Sequence, residues 1–370
     1  MISYLMHKDE VFAKLDIDSY GIRVLEFYTN RFPCTAEHIF HKWVSNRQTP
    51  YSAGNIADAY KFCGINDYLD FYKRTAFTSI NDCFWIKTNE GQSWGSINLY
   101  TNSFTRALED ILMNGFKQQV NQLAIYSPSF TNGGSFPKIF RHKNNKIFCI
   151  KGSKLQKNKE LDNWFVYSEV LLSQLYNYIG LVPFVSYKLN KYKDSIVCIS
   201  EVFSSESTEY YPAVYYLSGY PCYETIKSLF SSYESFYIML LIDCITFNKD
   251  RHTGNYGYLV DSDTGNIVNM CPVYDNNYAL FPDLSIRNIS KTNWGSLNTL
   301  VRSRLNNERF DDLAIKVLRD YPNGVNVLNK ILSFNFKCEG SMQFWRVKRL
   351  NSIVHAQCRH ILRRYEEEVL

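Results

Sequence analysis

The most constraining feature of this sequence is the stretch Asp243–Asp275. It holds a carboxylate at Asp250, a carboxamide five residues later at Asn255, and a second carboxylate twenty residues beyond that at Asp275. Two short apolar runs lie between the last two residues, and the polar segment DSDTG at 261–265 separates them, which predicts a hairpin. The hairpin would bring Asp275 back beside Asn255. Such a set can hold a divalent metal and a substrate hydroxyl during phosphoryl transfer.

Phosphoryl transfer also needs a phosphate-binding loop and a lysine with a carboxylate partner. The upstream sequence offers these in order. Gly133, Gly134 and Ser135 lie in a TNGGS loop, where glycines allow the backbone to approach phosphate oxygens. Lys151 ends a predicted strand, and Glu169 lies in a predicted helix from which it can pair with Lys151. Together these parts predict an ATP-dependent kinase.

Each part also has a plainer interpretation. The two glycines are compatible with an ordinary turn, Lys151 with the exposed end of a strand, and Glu169 with a solvated helix carboxylate. Asp243 is as compatible with a buried anchor of the loop as with a catalytic group. We interpret His252 as a structural histidine that holds the loop by hydrogen bonds and not as a base. The combination in sequence order is what favours the kinase prediction.

Composition narrows the class of protein. The chain has 370 residues, 45% of them hydrophobic, which is enough for two or three domains or lobes. Its net charge of +5 comes from 41 basic and 36 acidic residues spread along the chain, so direct nucleic-acid binding is not expected. The ten cysteines follow no metal-ligand spacing and are expected to be reduced thiols. With no signal-like segment or long apolar run, the prediction is a cytoplasmic protein without a membrane segment.

Hydrophobic periodicity predicts strands in the first thirty residues and mainly helices after residue 223. The hinge between two lobes is placed at Glu201, Val202 and Phe203, before a polar Ser/Glu stretch. The other predicted strands are 138–141, 146–151, 182–189 and 195–201. The predicted helices are 36–44 (capped by Thr35), 160–180, 233–245, 297–306, 310–319, 325–332 and 342–368.

At these residues the chain resembles the HipA-like kinases, which are bacterial toxin or effector serine/threonine kinases. The segments that carry the resemblance are TNGGSFPK at 131–138, IKG at 150–152, NKDRHTGN at 248–255 and PVYD at 272–275. The Asp-Arg-His-x-x-Asn pattern is shared with phosphatidylinositol 3- and 4-kinases, which are distant relatives in fold. The resemblance is tightest from 127 to 281 and looser elsewhere.

The resemblance implies an α+β, bilobal, protein-kinase-like fold with a β-rich N-terminal lobe and a mostly helical C-terminal lobe. The implied domains are an N-terminal subdomain at 1–120, a kinase N-lobe at 121–205 and a helical C-lobe at 206–370. It implies ATP and Mg²⁺ as cofactors. The implied roles are alignment or deprotonation of the substrate hydroxyl by Asp250, metal binding by Asn255 and Asp275, phosphate contact by Lys151, and an adenine border at Glu201, Val202 and Phe203.

The resemblance also implies a protein substrate, and in the family's toxin members a small DNA-binding antitoxin. A serine of the phosphate loop can be autophosphorylated in that family, with inactivation as the result. Ser135 is our candidate here, and Ser129 and Thr131 are its rivals. The chain departs from ordinary protein kinases because Asn-Asn follows Asp275 and the glycine loop is not GxGxxG. The alternatives are a lipid or small-molecule kinase of the same fold and a catalytically silent binding module.

Overall fold

The computed structural model describes residues 1–50, 55–115, 127–153, 163–217, 221–285, 288–289 and 301–369. The chain divides into two compact units. The first comprises 1–154, 200–211 and 258–268, and the second comprises 155–199, 212–257 and 269–370. The three-domain division expected from the sequence stays a prediction.

The first unit begins with an antiparallel sheet. Its strands are β1 (Ile2–His7), β2 (Glu10–Asp18), β3 (Gly21–Phe27) and β4 (Phe84–Lys87), in the order β3-β2-β1-β4. Alternation of side chains along β1 and β2 buries residues such as Leu5, Phe12 and Leu15. The strands predicted for the first thirty residues are therefore confirmed.

The helices of the first unit are Glu37–Arg47, Ile56–Phe62, Tyr68–Thr75, Trp94–Ile97 and Glu109–Asn114. The first of them confirms the helix predicted at 36–44, but the predicted Thr35 cap is wrong. Ala36 takes the extended cap conformation, and no side chain caps the helix. The buried guanidinium of Arg47 then joins the end of this helix to the Asp82 carboxylate at 2.5 Å.

Two further sets of strands complete the first unit. Strands β5 (Lys138–Lys143) and β6 (Lys146–Lys151) form a hairpin whose turn residues, Asn144 and Asn145, have φ of 52° and 57°. Two left-handed residues are what a tight two-residue hairpin requires, and asparagine tolerates them. A second sheet contains β9 (Thr208–Pro212), β10 (Gly257–Asp261) and β11 (Ile267–Met270) in the order β11-β10-β9. Both predicted hairpins are confirmed.

The second unit holds a largely buried helix, Trp164–Ile179, which ends at the left-handed Gly180 (φ 63°) as expected of a glycine stop. Strands β7 (Lys188–Tyr192) and β8 (Ser195–Glu201) form an antiparallel pair. The strand predicted at 182–189 is wrong over 182–187, because β7 begins at Lys188. Pro183 has no N–H for an antiparallel ladder, and its carbonyl accepts instead from Val273.

Helices make up most of the rest of the second unit. Their bounds are Tyr223–Phe230, Glu234–Thr246, Phe310–Asp320, Gly324–Leu332 and Phe344–Val369. Residues 301–306 are not helical, so that part of the helix predicted at 297–306 is wrong, and 297–300 lie outside the described residues. Among the helices of the described ranges, none is both long enough and apolar enough to cross a bilayer.

Candidate active site

The stretch 243–275 begins in the last turn of a largely buried helix of the second unit, Glu234–Thr246. The helix ends at Phe247, whose φ of 56° turns the chain sharply. Asp243, in its last turn, is 3% exposed. Its Oδ1 accepts a hydrogen bond from Asn248 Nδ2 at 2.8 Å. Because both oxygens of this carboxylate accept hydrogen bonds from the protein itself, Asp243 anchors the loop that follows the helix.

A buried guanidinium holds the stretch together. Arg251 donates from Nε and Nη2 to the two oxygens of Asp243, at 2.8 and 3.1 Å. Its Nη1 donates to the carbonyls of Asn255 and Tyr274, at 3.2 and 2.6 Å. Its Nη2 also donates to Asn276 Oδ1 at 2.6 Å. One side chain therefore joins the helix end, the loop after it and the segment around position 275.

Asp250 and Asn255 lie on this loop. The Asp250 carboxylate is 2.8 Å from Nη2 of Arg304, and its side chain is 18% exposed. The Asn255 amide nitrogen donates to the Asp250 carbonyl at 3.2 Å, and Asn255 is 4% exposed. Because the side-chain nitrogen of Asn255 donates to the Asp250 carbonyl, the side-chain oxygen on the opposite side of the planar amide points away from that carbonyl. A carboxamide oxygen held in this way is a suitable ligand for Mg²⁺.

Asp275 follows the second hairpin strand and has a left-handed φ of 56°. A non-glycine residue in that region is strained by about 1–3 kcal/mol and is found most often at functional sites. Its neighbour Tyr274 donates from its hydroxyl to the Gly254 carbonyl at 2.6 Å. This bond and the bonds of Arg251 tie the segment containing Asp275 to the loop containing Asn255. That proximity is what the hairpin in the sequence predicted.

The charges of both carboxylates influence the pKa of His252. Burial is the main cause that lowers the pKa of His252, and the positive charges of Arg304 and Arg251 lower it further. The negative charges of Asp250 and Asp275 raise it in part. Its Nδ1 accepts the Gly254 N–H at 3.0 Å, so the neutral ring carries its proton on Nε2. The support role predicted for His252 fits these contacts. A Cβ at residue 254 would lie 2.9 Å from the ring, which requires glycine there.

Glu169 is fully buried on helix Trp164–Ile179. Its Oε2 accepts the backbone N–H of Asn276 at 2.8 Å, one residue beyond Asp275. The plainer interpretation of Glu169 as a solvated carboxylate is therefore wrong. Its pairing with Lys151 stays a prediction.

The phosphate-loop candidates lie in the first unit. Gly133 and Gly134 have φ of 49° and 81°, a region that glycine adopts without strain. Lys138 Nζ donates to the carbonyls of Asn132, at 2.7 Å, and Gly133. These two hydrogen bonds direct the carbonyls of the loop toward the Lys138 ammonium.

The three candidate phosphorylation positions differ in exposure. Ser129 and Thr131 are each 2% exposed. The Ser129 hydroxyl donates to the Lys138 carbonyl at 3.1 Å, and the Thr131 hydroxyl donates to the Thr78 carbonyl at 2.5 Å. Ser135 is exposed. Of the three, Ser135 is the hydroxyl that another group can reach.

Lys151 and the predicted hinge are also in the first unit. Lys151 ends β6, and its Nζ lies 5.3 Å from the ring centroid of Phe136. The Val202 N–H donates to the Ile147 carbonyl at 2.9 Å, which attaches the hinge to β6. Glu201 is exposed and pairs with Lys146 at 2.8 Å. Val202 and Phe203 are half-buried and present apolar surface, and the adenine border at Glu201, Val202 and Phe203 stays a prediction.

Sequence reasoning did not assign two arginines. Arg251 lies inside the motif NKDRHTGN. A cation between two apolar segments is expected to be buried and to need a buried anionic partner, and this was the signal that could have identified it. Arg304 lies on a tight turn in which the Ser303 N–H donates to the Glu308 carbonyl at 2.9 Å. Leu305 is buried beside it at 2% exposure, so the turn is anchored while Arg304 extends to Asp250. No sequence signal indicated that this turn meets the loop.

No protein-family model matches the chain, and no curated protein matches it. Solved structures do. HipA of Shewanella oneidensis MR-1, solved with HipB and its operator DNA, aligns with a TM-score of 0.52 over 97% of each chain at 11% sequence identity. This chain has a HipA-like kinase fold. The proinflammatory kinase CtkA of Helicobacter pylori also aligns, with a TM-score of 0.48 at 18% identity, over 63% of this chain and 92% of its own.

The HipA-like kinase fold confirms the bilobal, α+β kinase-like class predicted from the sequence. At 11% identity the likeness concerns the fold.

Proposed function

We propose that this protein is an ATP- and Mg²⁺-dependent kinase that phosphorylates a serine or threonine hydroxyl of another protein. The observation that carries the proposal is the loop anchored by Arg251. Arg251 donates to the carbonyls of both Asn255 and Tyr274, which holds Asn255 next to the segment of Asp275. The negative charges of Asp250 and Asp275 both act to raise the pKa of His252. Two carboxylates and a carboxamide oxygen, held by a buried scaffold, fit a magnesium-assisted phosphoryl transfer.

The roles follow from the positions of the side chains. Asn255 and Asp275 would hold Mg²⁺ through oxygen atoms, and the bound ion would neutralise charge on the phosphates. Asp250 would accept a hydrogen bond from the acceptor hydroxyl and take its proton on a carboxylate oxygen as the phosphoryl group transfers. A positioned acid–base group of this kind contributes roughly 10²–10⁴-fold to the rate.

Nucleotide contacts are proposed in the first unit. The glycine loop at 133–134 would present backbone N–H groups to phosphate oxygens, and Lys151 would add a positive charge. Val202 and Phe203 would border the adenine. Ser135 is the proposed self-phosphorylation site, because a phosphate there adds about −1.5 to −2 charges where ATP phosphates must bind. A small antitoxin-like protein is included as a proposed partner.

The decisive experiment incubates the purified protein with labelled ATP, Mg²⁺ and a cell extract as the acceptor source. Asp250→Ala and Asp275→Ala remove the proposed chemistry, and Asp194→Ala is the matched control at an exposed turn of the same unit. Label on protein that both site variants abolish supports the proposal. Label only on a lipid or a small molecule supports the alternative kinases, and ATP binding without turnover supports a silent module.

Self-phosphorylation has its own test. Mass spectrometry after incubation with ATP should find phosphate at Ser135, and Ser135→Ala should remove it. Ser129 is the internal control, because its hydroxyl is buried and bonded to a carbonyl. Absence of phosphate from the peptide 127–135 of active enzyme would refute this part of the proposal.

A further inference from the structure

Three metal-ligating side chains meet inside the first unit, among residues with no part in the proposed phosphoryl transfer. They are His7 at the end of β1, Cys83 just before β4 and Glu209 on β9. An imidazole nitrogen, the thiol sulfur and a carboxylate oxygen all lie within 4.8 Å of one another. The three residues are 4%, 0% and 1% exposed. This His7–Cys83–Glu209 cluster is the most concentrated set of such groups that the described residues contain.

In the structure the donors are joined by hydrogen bonds, so their separations differ somewhat from those of zinc ligands. His7 Nε2 lies 2.8 Å from Glu209 Oε1, and Cys83 Sγ lies 3.4 Å from the carbonyl oxygen of Glu206. Zinc bound at about 2.0–2.2 Å to nitrogen and oxygen and 2.3 Å to sulfur separates its ligands by about 3.3–3.6 Å. His7 and Glu209 would therefore move apart by about 0.5–0.8 Å to share an ion. The Glu206 carbonyl, which accepts the Cys83 thiol and the Ser262 hydroxyl, is the nearest candidate for a fourth donor.

Neighbouring groups already orient the donors. The Cys83 backbone N–H donates to Glu209 Oε1 at 2.7 Å, and the Tyr211 hydroxyl donates to Oε2 at 2.6 Å. The His7 ring packs against Phe84, with ring centroids 4.6 Å apart, which limits its rotation. Outer donors that fix a carboxylate and packing that fixes an imidazole are regular features of metal sites in proteins.

The donor types select the metal. A thiolate together with imidazole favours zinc over magnesium or calcium, which take oxygen donors. Burial leaves no open position for a substrate, as in structural rather than catalytic sites. Because β1 and β4 belong to the N-terminal sheet and β9 to the second sheet of the same unit, a bound ion would join the two sheets.

We propose that His7, Cys83 and Glu209, with the Glu206 carbonyl, form a structural zinc site that cross-links the N-terminal sheet and the β11-β10-β9 sheet. Zinc binding replaces the Cys83 thiol proton, which leaves to solvent, and the His7 imidazole binds through Nε2 with its own proton on Nδ1. The spacing at positions 7, 83 and 209 matches no zinc motif, so the site emerges only from the fold.

The test measures metal in the intact chain, purified without a polyhistidine tag or chelator. Elemental analysis should find one zinc per chain after incubation with zinc and desalting. Cys83→Ser and Glu209→Gln should each lower that content at least severalfold. Cys358→Ser is the matched control, because Cys358 is an equally buried thiol in the second unit. Cobalt in place of zinc should give a thiolate-to-metal absorption band that Cys83→Ser removes.

A wild-type chain with background zinc and no cobalt–thiolate band would overturn the proposal and leave a metal-free hydrogen-bond network. Full zinc content in Cys83→Ser would overturn it as well, since the metal would then be adventitious. If both variants fail to fold, the wild-type cobalt spectrum, with or without its thiolate band, still decides the matter. Zinc content and the cobalt spectrum do not depend on kinase activity, so the zinc proposal is tested independently of the proposed function.

Discussion

Replacing Arg251 with methionine tests the idea that a buried guanidinium holds the active-site loop in place. Methionine keeps a long apolar stem but removes every donor. The Asp243 carboxylate, 3% exposed, then keeps the hydrogen bond from the Asn248 side chain but has lost its cationic partner. Removing one partner of a buried ion pair costs roughly 3–5 kcal/mol. At about 2–4 °C per kcal/mol, the melting temperature should fall by roughly 6–20 °C.

A second substitution separates stability from activity. Adding Asp243→Asn to Arg251→Met removes the unpaired buried charge while keeping an acceptor for Asn248. The double variant should therefore be more stable than Arg251→Met alone, by roughly 1–3 kcal/mol. Phosphoryl transfer should stay low in both, because the carbonyls of Asn255 and Tyr274 have lost their common donor. Misplacement by about 1 Å can cost roughly 10²-fold in rate.

The assays are denaturant unfolding and transfer of label from ATP, each with a surface control. Arg363→Met is suitable, because Arg363 lies in the second unit and its side chain is 69% exposed. An unfolding free energy of Arg251→Met within about 1 kcal/mol of wild type would refute the anchoring argument. Recovery of full activity in the double variant would refute the link between anchoring and chemistry.

Three further substitutions test separate contacts. Arg304→Ala should lower kcat roughly tenfold with little change in KM for ATP, because a charge-assisted contact to Asp250 is lost. Arg304→Lys should recover part of the lost kcat, and a rise in kcat in Arg304→Ala would contradict the idea that Arg304 positions Asp250. Glu169→Ala should destabilise the protein by about 1–3 kcal/mol in urea unfolding, since the Asn276 N–H loses its acceptor. Glu169→Gln keeps an acceptor and should keep the stability, but it should raise KM for ATP if Lys151 is the partner of Glu169. Gly134→Ala should raise KM for ATP severalfold, because a φ of 81° disfavours a side chain by about 1–2 kcal/mol; unchanged nucleotide titration would count against the phosphate loop.

Local chemistry made much of the fold predictable from the sequence. The pair Asn144-Asn145 specifies a two-residue hairpin, and Gly180 ends its helix in the left-handed conformation. Likewise the DSDTG segment turns the chain because Asp261 Oδ1 accepts the Thr264 N–H at 2.8 Å. Each of these signals acts within a few residues, so it survives in the sequence.

What could not be predicted depends on contacts between distant residues. Apolar residues from 182 suggested a strand, but Pro183 and Val185 pair with Val273 in a short parallel contact. The segment at 301–306 has helical composition, yet Asn306 and Asn307 adopt positive φ and close a turn. Arg304 and the His7–Cys83–Glu209 cluster depend on partners more than fifty residues away in sequence. Periodicity carries no information about such partners.

The Asp-Arg-His-x-x-Asn motif combines two kinds of requirement. Arg251 is buried and holds the backbone, and His252 accepts the Gly254 N–H within the loop. Asp250, in contrast, contacts Arg304, whose side chain is 42% exposed, at the more open side of the loop. Arg251 would stabilise the loop in a silent binding module as well, so its contacts alone do not distinguish an enzyme from such a module. The discrimination rests on Asp250 and Asp275: if replacing them leaves the fold intact and abolishes transfer, their part in the motif is chemical.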